Sequence, residues 1–195
     1  MLSLETITLE GDLVQLIPLE KAHSNALLEA AQDGNLWELW YTSAPSENTI
    51  DQYLANALQQ QKNQTSLPFV IFHKKDKKII GTTRYCNIDR ANHRLEIGYT
   101  WYAKTYQRTG VNTECKYLLL KNAFENYDAI AVEFRTHWHN HASRNAILRL
   151  GAKQDGVLRN HRVDRAGVFR DTVVFSIIQS EWKAVKKGLE FKRKR

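Results

Sequence analysis

This 195-residue chain lacks the features that mark several large protein classes. It holds two cysteines, Cys86 and Cys115. Two thiols cannot build a disulfide framework, and these show no metal-type spacing, so a reducing cytoplasm is the expected setting. No stretch approaches about 18 continuous apolar residues, so no membrane contact through a spanning helix is expected. The start carries Glu5, Glu10 and Asp12 where a secretory leader has a basic stretch and an apolar run, so no signal peptide is expected. There is no internal repeat, low-complexity segment or interdomain linker. What is present, 43% hydrophobic and 25% charged residues, is ordinary globular usage. The length suits one domain with a sizeable core.

Acidic balance is also missing, since the net charge is +7. The excess is local. Lys183 to Arg195 holds seven Lys or Arg and one Glu, leaving the other 182 residues close to neutral. The expectation is a single domain over 1–182 and a basic C-terminal tail over 183–195. Such a tail is usually solvated; its functional alternative is a weak electrostatic contact with RNA or the ribosome. Arg135 to Asp171 is also basic, with eight Lys or Arg against three Asp, which suits a polyanionic ligand.

Periodicity gives the order of elements. Leu13 to Ile17 alternates as a strand and stops at Pro18. Glu20 to Ala31 has helical spacing, and Ser46 is placed to cap a helix reaching about Gln61. Phe69–Phe72, Lys78–Asn87 and Leu95–Tyr102 read as three strands joined by the turns Lys74–Lys77 and Asp89–His93, an antiparallel meander. A helix over Thr113–Tyr127, with Tyr117, Leu120, Ala123 and Phe124 on one face, leads to a strand over Ile130–Trp138. That βαβ unit makes its two strands parallel. A helix over Ala142–Leu150 stops at Gly151. Strands over Gln154–Arg162 and Asp171–Ile178 close the chain around the turn Asp164-Arg165-Ala166-Gly167. The expected class is α/β with a mixed sheet.

Between the third meander strand and its helix lies Gln107-Arg108-Thr109-Gly110-Val111-Asn112-Thr113-Glu114. A glycine permits a tight turn and close backbone approach. The first amides of a helix have no internal acceptor, and with the helix dipole they favour a phosphate. Arg108 adds a cation. One glycine in a strand-to-helix loop is also ordinary architecture, so the turn by itself argues only for an anion.

Gln107 to Asn112 resembles the Gln/Arg-x-x-Gly-x-Gly/Ala coenzyme A signature of the GCN5-related N-acetyltransferases, with Asn112 departing from its last position. Asn140-His141-Ala142-Ser143, followed by Leu150-Gly151, resembles a second element of that family. Leu13 to Leu27 resembles the opening of its ribosomal-protein N-acetyltransferase (RimJ/RimL-like) branch. The resemblance covers about Leu9 to Glu181. It implies a mixed, mostly antiparallel sheet with a central splayed parallel strand pair flanked by helices. It implies acetyl-CoA as acyl donor, no metal, and direct attack by a primary amine, a protein N-terminus being favoured. It leaves a homodimer open.

On that footing Tyr99, Trp101, Gln107, Arg108, Thr109, Gly110, Val111, Asn112, Thr113, Asn140 and Ser143 are expected to hold the donor. A backbone amide within Tyr99–Trp101 would meet the developing oxyanion, and Asn140 would bond the pantetheine arm or cap a helix. Removing a proton from the amine needs a base. Glu96 is the first candidate, because burial raises a carboxylate toward a useful range; Glu133 is the second. Many relatives have a Tyr seven residues past the motif Asn for the leaving thiolate. Here that residue is Ile147, and Ser143 is the remaining candidate. Trp37, Trp40 and Tyr41 would line the acceptor pocket or pack in the core. His137, His139 and His141 alternate, which on a strand would suit a metal; no further ligand stands with them, and none is expected. Two other readings remain: an acetyltransferase for a small amine such as an aminoglycoside or polyamine, and a non-catalytic RNA- or ribosome-binding protein on the same fold.

Overall fold

Strand β2 (Val14–Pro18) shows in miniature why this chain forms a sheet. Val14 and Leu16 are fully buried while Gln15 between them faces out, the period of two that a half-covered strand needs. The computed structural model describes residues 5–164 and 166–194. Its strands form one eight-stranded sheet in the order β1-β2-β3-β4-β5-β6-β8-β7. The others are β1 (Leu9–Glu10), β3 (Leu67–His73), β4 (Lys78–Asp89), β5 (Arg94–Tyr102), β6 (Ala131–His137), β7 (Lys153–Val163) and β8 (Phe169–Ile178). Every pairing is antiparallel except β5 with β6, as the βαβ reading requires.

Among the described residues five α-helices surround the sheet: α1 (Ser24–Gln32), α2 (Ile50–Lys62), α3 (Val111–Glu125), α4 (His141–Leu150) and α5 (Gln179–Arg193). One face belongs to α3. The buried Tyr85 hydroxyl of β4 donates to the Leu119 carbonyl at 2.6 Å, and Leu95 and Ile97 of β5 lie in the core. On the opposite face Tyr53 of α2 meets Thr82 at 2.8 Å and the Trp101 indole at 3.3 Å. Helix α4 starts at Asn140, whose side chain accepts the Ser143 amide, and ends at Gly151 with φ +104°, where a side chain would be strained.

Two expectations are corrected and one strand is added. Ser46 does not cap α2. It opens a turn whose carbonyl takes the Ile50 amide, and Thr49 precedes the first helical residue. The short β1, two residues long, was not legible as a strand. The basic stretch from Lys183 is not a separate solvated tail. It is most of α5, which buries Trp182 and Leu189 and stacks Trp182 on Phe124 of α3 at 5.2 Å. Helix α3 is therefore covered on both sides: the sheet buries Lys116 and Asn122, and Arg193 of α5 closes over Glu114. The turn expected over Asp164 to Gly167 includes Arg165, which lies outside the described residues; Asp164 there accepts the amides of Ala166 and Val168.

Candidate active site

Strands β5 and β6 pair over only three residues, Arg94 with Ala131, Leu95 with Val132 and Glu96 with Glu133, and then part. Beyond Glu96 the β6-facing edge of β5 is free. Within that stretch β5 bulges: Thr82 pairs with Trp101 and Arg84 with Gly98, so Tyr99 and Thr100 oppose the single residue Thr83. Tyr99 takes the left-handed conformation, φ +52°. A bulge re-aims backbone groups and increases twist. The Tyr99–Trp101 segment thus has amide groups at an open strand edge, the requirement set for an oxyanion donor and for an extended ligand pairing as an added strand. Arg84, buried beneath the bulge, is stacked between the rings of Tyr99 at 4.0 Å and Tyr53 at 5.4 Å.

At the outer end of β5 the chain turns into α3. Gln107 donates to the Tyr102 carbonyl at 3.0 Å. The Thr109 hydroxyl donates to the Tyr106 carbonyl at 2.7 Å and accepts the Val111 amide at 3.3 Å. Left-handed backbone occurs in this turn, but at Arg108, φ +61°, and not at Gly110, φ −66°. The expectation that glycine supplies the tight turn is corrected. A Cβ at Gly110 would come 3.2 Å from Leu13 Cδ1, the end of an exposed side chain, so a small shift of Leu13 would accommodate it. Among the described residues the amides of Arg108, Thr109 and Gly110 meet no acceptor, which together with the first-turn amides of α3 makes an anion cradle. Asn112, the departure from the motif, is held locally, its side-chain carbonyl accepting the hydroxyl of buried Tyr102 at 3.1 Å. Val111 is buried and Thr113 half-buried.

Glu96 lies where the strands part and is 7% exposed. Burial raises its carboxyl above the ordinary range; the Asn87 side chain, donating at 2.7 Å, and Arg135 at 3.6 Å pull the other way. Glu133 is committed to ion pairs with Arg94 at 2.5 Å and Arg135 at 2.9 Å, whereas Glu96 has the single, longer approach of Arg135. Asn87 and Arg135 were not singled out from the sequence. They reach Glu96 only through strand pairing, which leaves no local motif. A small recess lined by Asn87, Glu96 and Arg135 adjoins an open trough of about 510 Å³ on the same face of β6, β8 and β7.

The other expected residues divide. Asn140 caps α4 with its side-chain oxygen, and Ser143 stands in that helix's first turn. Ile147 is buried in the core. Trp37 is half-buried against the core, whereas Trp40 is 60% exposed and leans on His137 at 4.8 Å and His139 at 5.7 Å. Tyr41 meets Trp40 edge-on at 5.6 Å. The loop bearing Trp40 and Tyr41 therefore reaches the open end of the splay. His137 ends β6, His139 lies in the following turn and His141 opens α4.

Comparison with known proteins places this geometry. A family profile described as an acetyltransferase (GNAT) domain matches residues 14–153. The Bacillus subtilis (strain 168) protein named "Putative ribosomal N-acetyltransferase YdaF" is 30% identical over 111 residues, 57% of this chain and 60% of that protein. The matched stretch thus spans less than two thirds of that relative. A GCN5-related N-acetyltransferase from Brucella melitensis of known structure is 29% identical, with a TM-score of 0.86 over 96% of this chain and 85% of that one. Mycobacterium smegmatis RimJ, solved in complex with CoA-disulfide, shares the fold at 19% identity, TM-score 0.81, over 98% of this chain and 97% of that one.

Proposed function

Because the chain belongs to the GNAT acetyltransferase family, we propose that it is an N-acetyltransferase moving acetyl from acetyl-CoA to a primary amine by direct attack in a ternary complex. The observation that carries the reading is the splay. A free β5 edge with a bulge at Tyr99 runs from a buried Glu96 to an anion cradle at Arg108–Gly110. The residues fit the donor: the cradle suits a diphosphate, the open edge suits the pantetheine arm, and the bulge suits a thioester oxygen.

In this reading the amine nitrogen attacks the thioester carbon. The N–C bond forms, the C–S bond breaks, and the sulfur leaves as a thiolate that takes up a proton. Glu96, directly or through water, accepts the proton that the amine loses. Amides of the bulge stabilise the charge on the carbonyl oxygen. Ser143 is a hydrogen-bond donor near the departing sulfur, and Trp37, Trp40 and Tyr41 flank the acceptor. A protein N-terminal amine is the favoured acceptor, supported by the naming of the Bacillus subtilis relative.

Calorimetry with acetyl-CoA tests the donor; absence of binding at millimolar ligand sinks the proposal. The base is tested by Glu96→Gln. Since ionised Glu96 is the active form and burial raises its pKa, the rate of the parent protein rises with pH through that raised value. The substitution is expected to remove this acid limb and lower kcat/KM by about 10²- to 10⁴-fold. An unchanged pH profile removes Glu96 from the role.

A further inference from the structure

His137 and Arg170 share the face of the sheet that carries Glu96, further along the strands. His137 pairs with Thr172 of β8, and Arg170 stands two residues before Thr172, so both project from one face at adjacent levels. His137 is 4% exposed, and its Nδ1 accepts the His139 amide at 3.1 Å. A neutral imidazole whose Nδ1 accepts carries its proton on Nε2. That nitrogen is buried and has no partner among the described residues. The buried Nε–H of Arg170 is in the same position. Burial first, then the nearby Arg170, hold His137 below the ordinary imidazole range, so it stands as a neutral donor.

The charge is unbalanced as well. Arg162 of β7 stands directly opposite Arg170 of β8, and like charges in that register destabilise a sheet. Of the two nearby carboxylates, Asp171 is occupied, and Asp164 acts on Arg170 and His137 through its charge, with no ion pair to either among the described residues. Asp164 accepts backbone amides, and Asp171 takes Arg159 at 2.5 Å and the Asn160 amide at 2.8 Å. A buried donor without an acceptor is costly to the fold. Two of them side by side, under an excess of cations and walled by Trp40, form a donor set for an oxyanion.

We propose that His137, Arg170 and Arg162 form a subsite for an oxyanion carried by the acceptor, so that the acceptor is an amine bearing a carboxylate or phosphate. The inference rests on the reading of Glu96 as the base at the reacting amine. His137 lies four residues past Glu133, the partner of Glu96, or about 13 Å along the strand. The acceptor therefore spans roughly 10–13 Å between its nitrogen and its anion, which in an extended peptide covers about three to four residues.

The test uses the full-length protein, saturated with coenzyme A so that the α3 cradle is filled. Imidazole ¹⁵N resonances are followed while inorganic phosphate or glutarate is added at constant ionic strength. The His137 Nε2 signal is expected to shift saturably. Arg170→Met is expected to weaken the midpoint about tenfold or more, as loss of a charge-assisted hydrogen bond does. Arg162→Met, at an exposed position that tolerates substitution, is expected to weaken it a fewfold. The tighter of the two anions identifies the acceptor's acidic group. A His137 signal that neither anion moves, or a midpoint unchanged in Arg162→Met and Arg170→Met, overturns the proposal. Failure of coenzyme A to bind in the same sample sinks the acyltransferase reading while the anion titration is still read on His137.

Discussion

Lys116 carries an ammonium into the space between α3 and the sheet, where its Nζ donates to Thr100 at 2.5 Å and Thr83 at 3.4 Å and meets no carboxylate among the described residues. Burial pushes it down to about 8. In the unfolded chain it titrates near about 10.4, so between these values the unfolded state holds the extra proton and stability rises with pH. Below about 8 the whole penalty, roughly 3 kcal/mol, is in force. Lys116→Met is therefore expected to be about 1–3 kcal/mol more stable than the parent at pH 7, after loss of the threonine contacts. The gain should vanish by about pH 10.5. Urea unfolding at both pH values checks this; an equal loss at both contradicts it. In the sequence Lys116 is one more lysine on a helix. Its burial follows from that face of α3 packing on β4 and β5, which helical spacing alone did not reveal. Glu96 was legible because strand alternation sets it opposite Leu95 and Ile97, whereas Asn87, Arg135, His137 and Arg170 acquire meaning only from register.

At the scale of elements, α3 depends on a carboxylate. Glu114, 1% exposed, accepts the backbone amides of Asp12, Leu13 and Val14 at 3.0, 2.6 and 2.9 Å. Arg193 at the end of α5 pairs with it at 2.7 Å, reaches Asp12 at 3.0 Å and lies 4.4 Å over the Tyr117 ring. Gly11 is fixed by this contact, because a Cβ there would sit 2.5 Å from Glu114 Cδ. Removing one partner of a buried pair strands the other charge. Arg193→Met is expected to lower stability by about 3 kcal/mol in denaturant titration, the amides still holding Glu114. A change below about 0.5 kcal/mol would show that Arg193 is an ordinary surface cation. The order of strands and helices was largely readable from periodicity, and the parallel pair from the length of its connection. The α5 dock was hidden because a run of lysines masked Trp182 and Leu189, the two apolar residues that anchor it.

The molecule as a whole is a sheet in two parts, β1–β5 and β6–β8, joined by three residue pairs and bridged by α3 and α5. A ligand lying along the open edge of β5 would complete the ladder between them. Acetyl-CoA is accordingly expected to slow hydrogen exchange at amides within Ile97–Tyr102 by at least about tenfold, while exchange in β2 and β3 stays as it was; uniform slowing would point to global stabilisation instead. The splay itself was foreseen only through family resemblance, since no pattern in Leu95–Tyr102 marks where pairing stops. The clamp between Glu114 and Arg193 also has a bearing on biosynthesis. Its two halves lie 79 residues apart. At about 5–20 residues per second, a growing chain carries Glu114 for roughly 4–16 s before Arg193 has been made. During that interval the start of α3 has its amide contacts but no cation. A nascent chain paused ahead of Arg193 lacks this clamp, so the donor-binding end of the protein is expected to be among the last parts to mature.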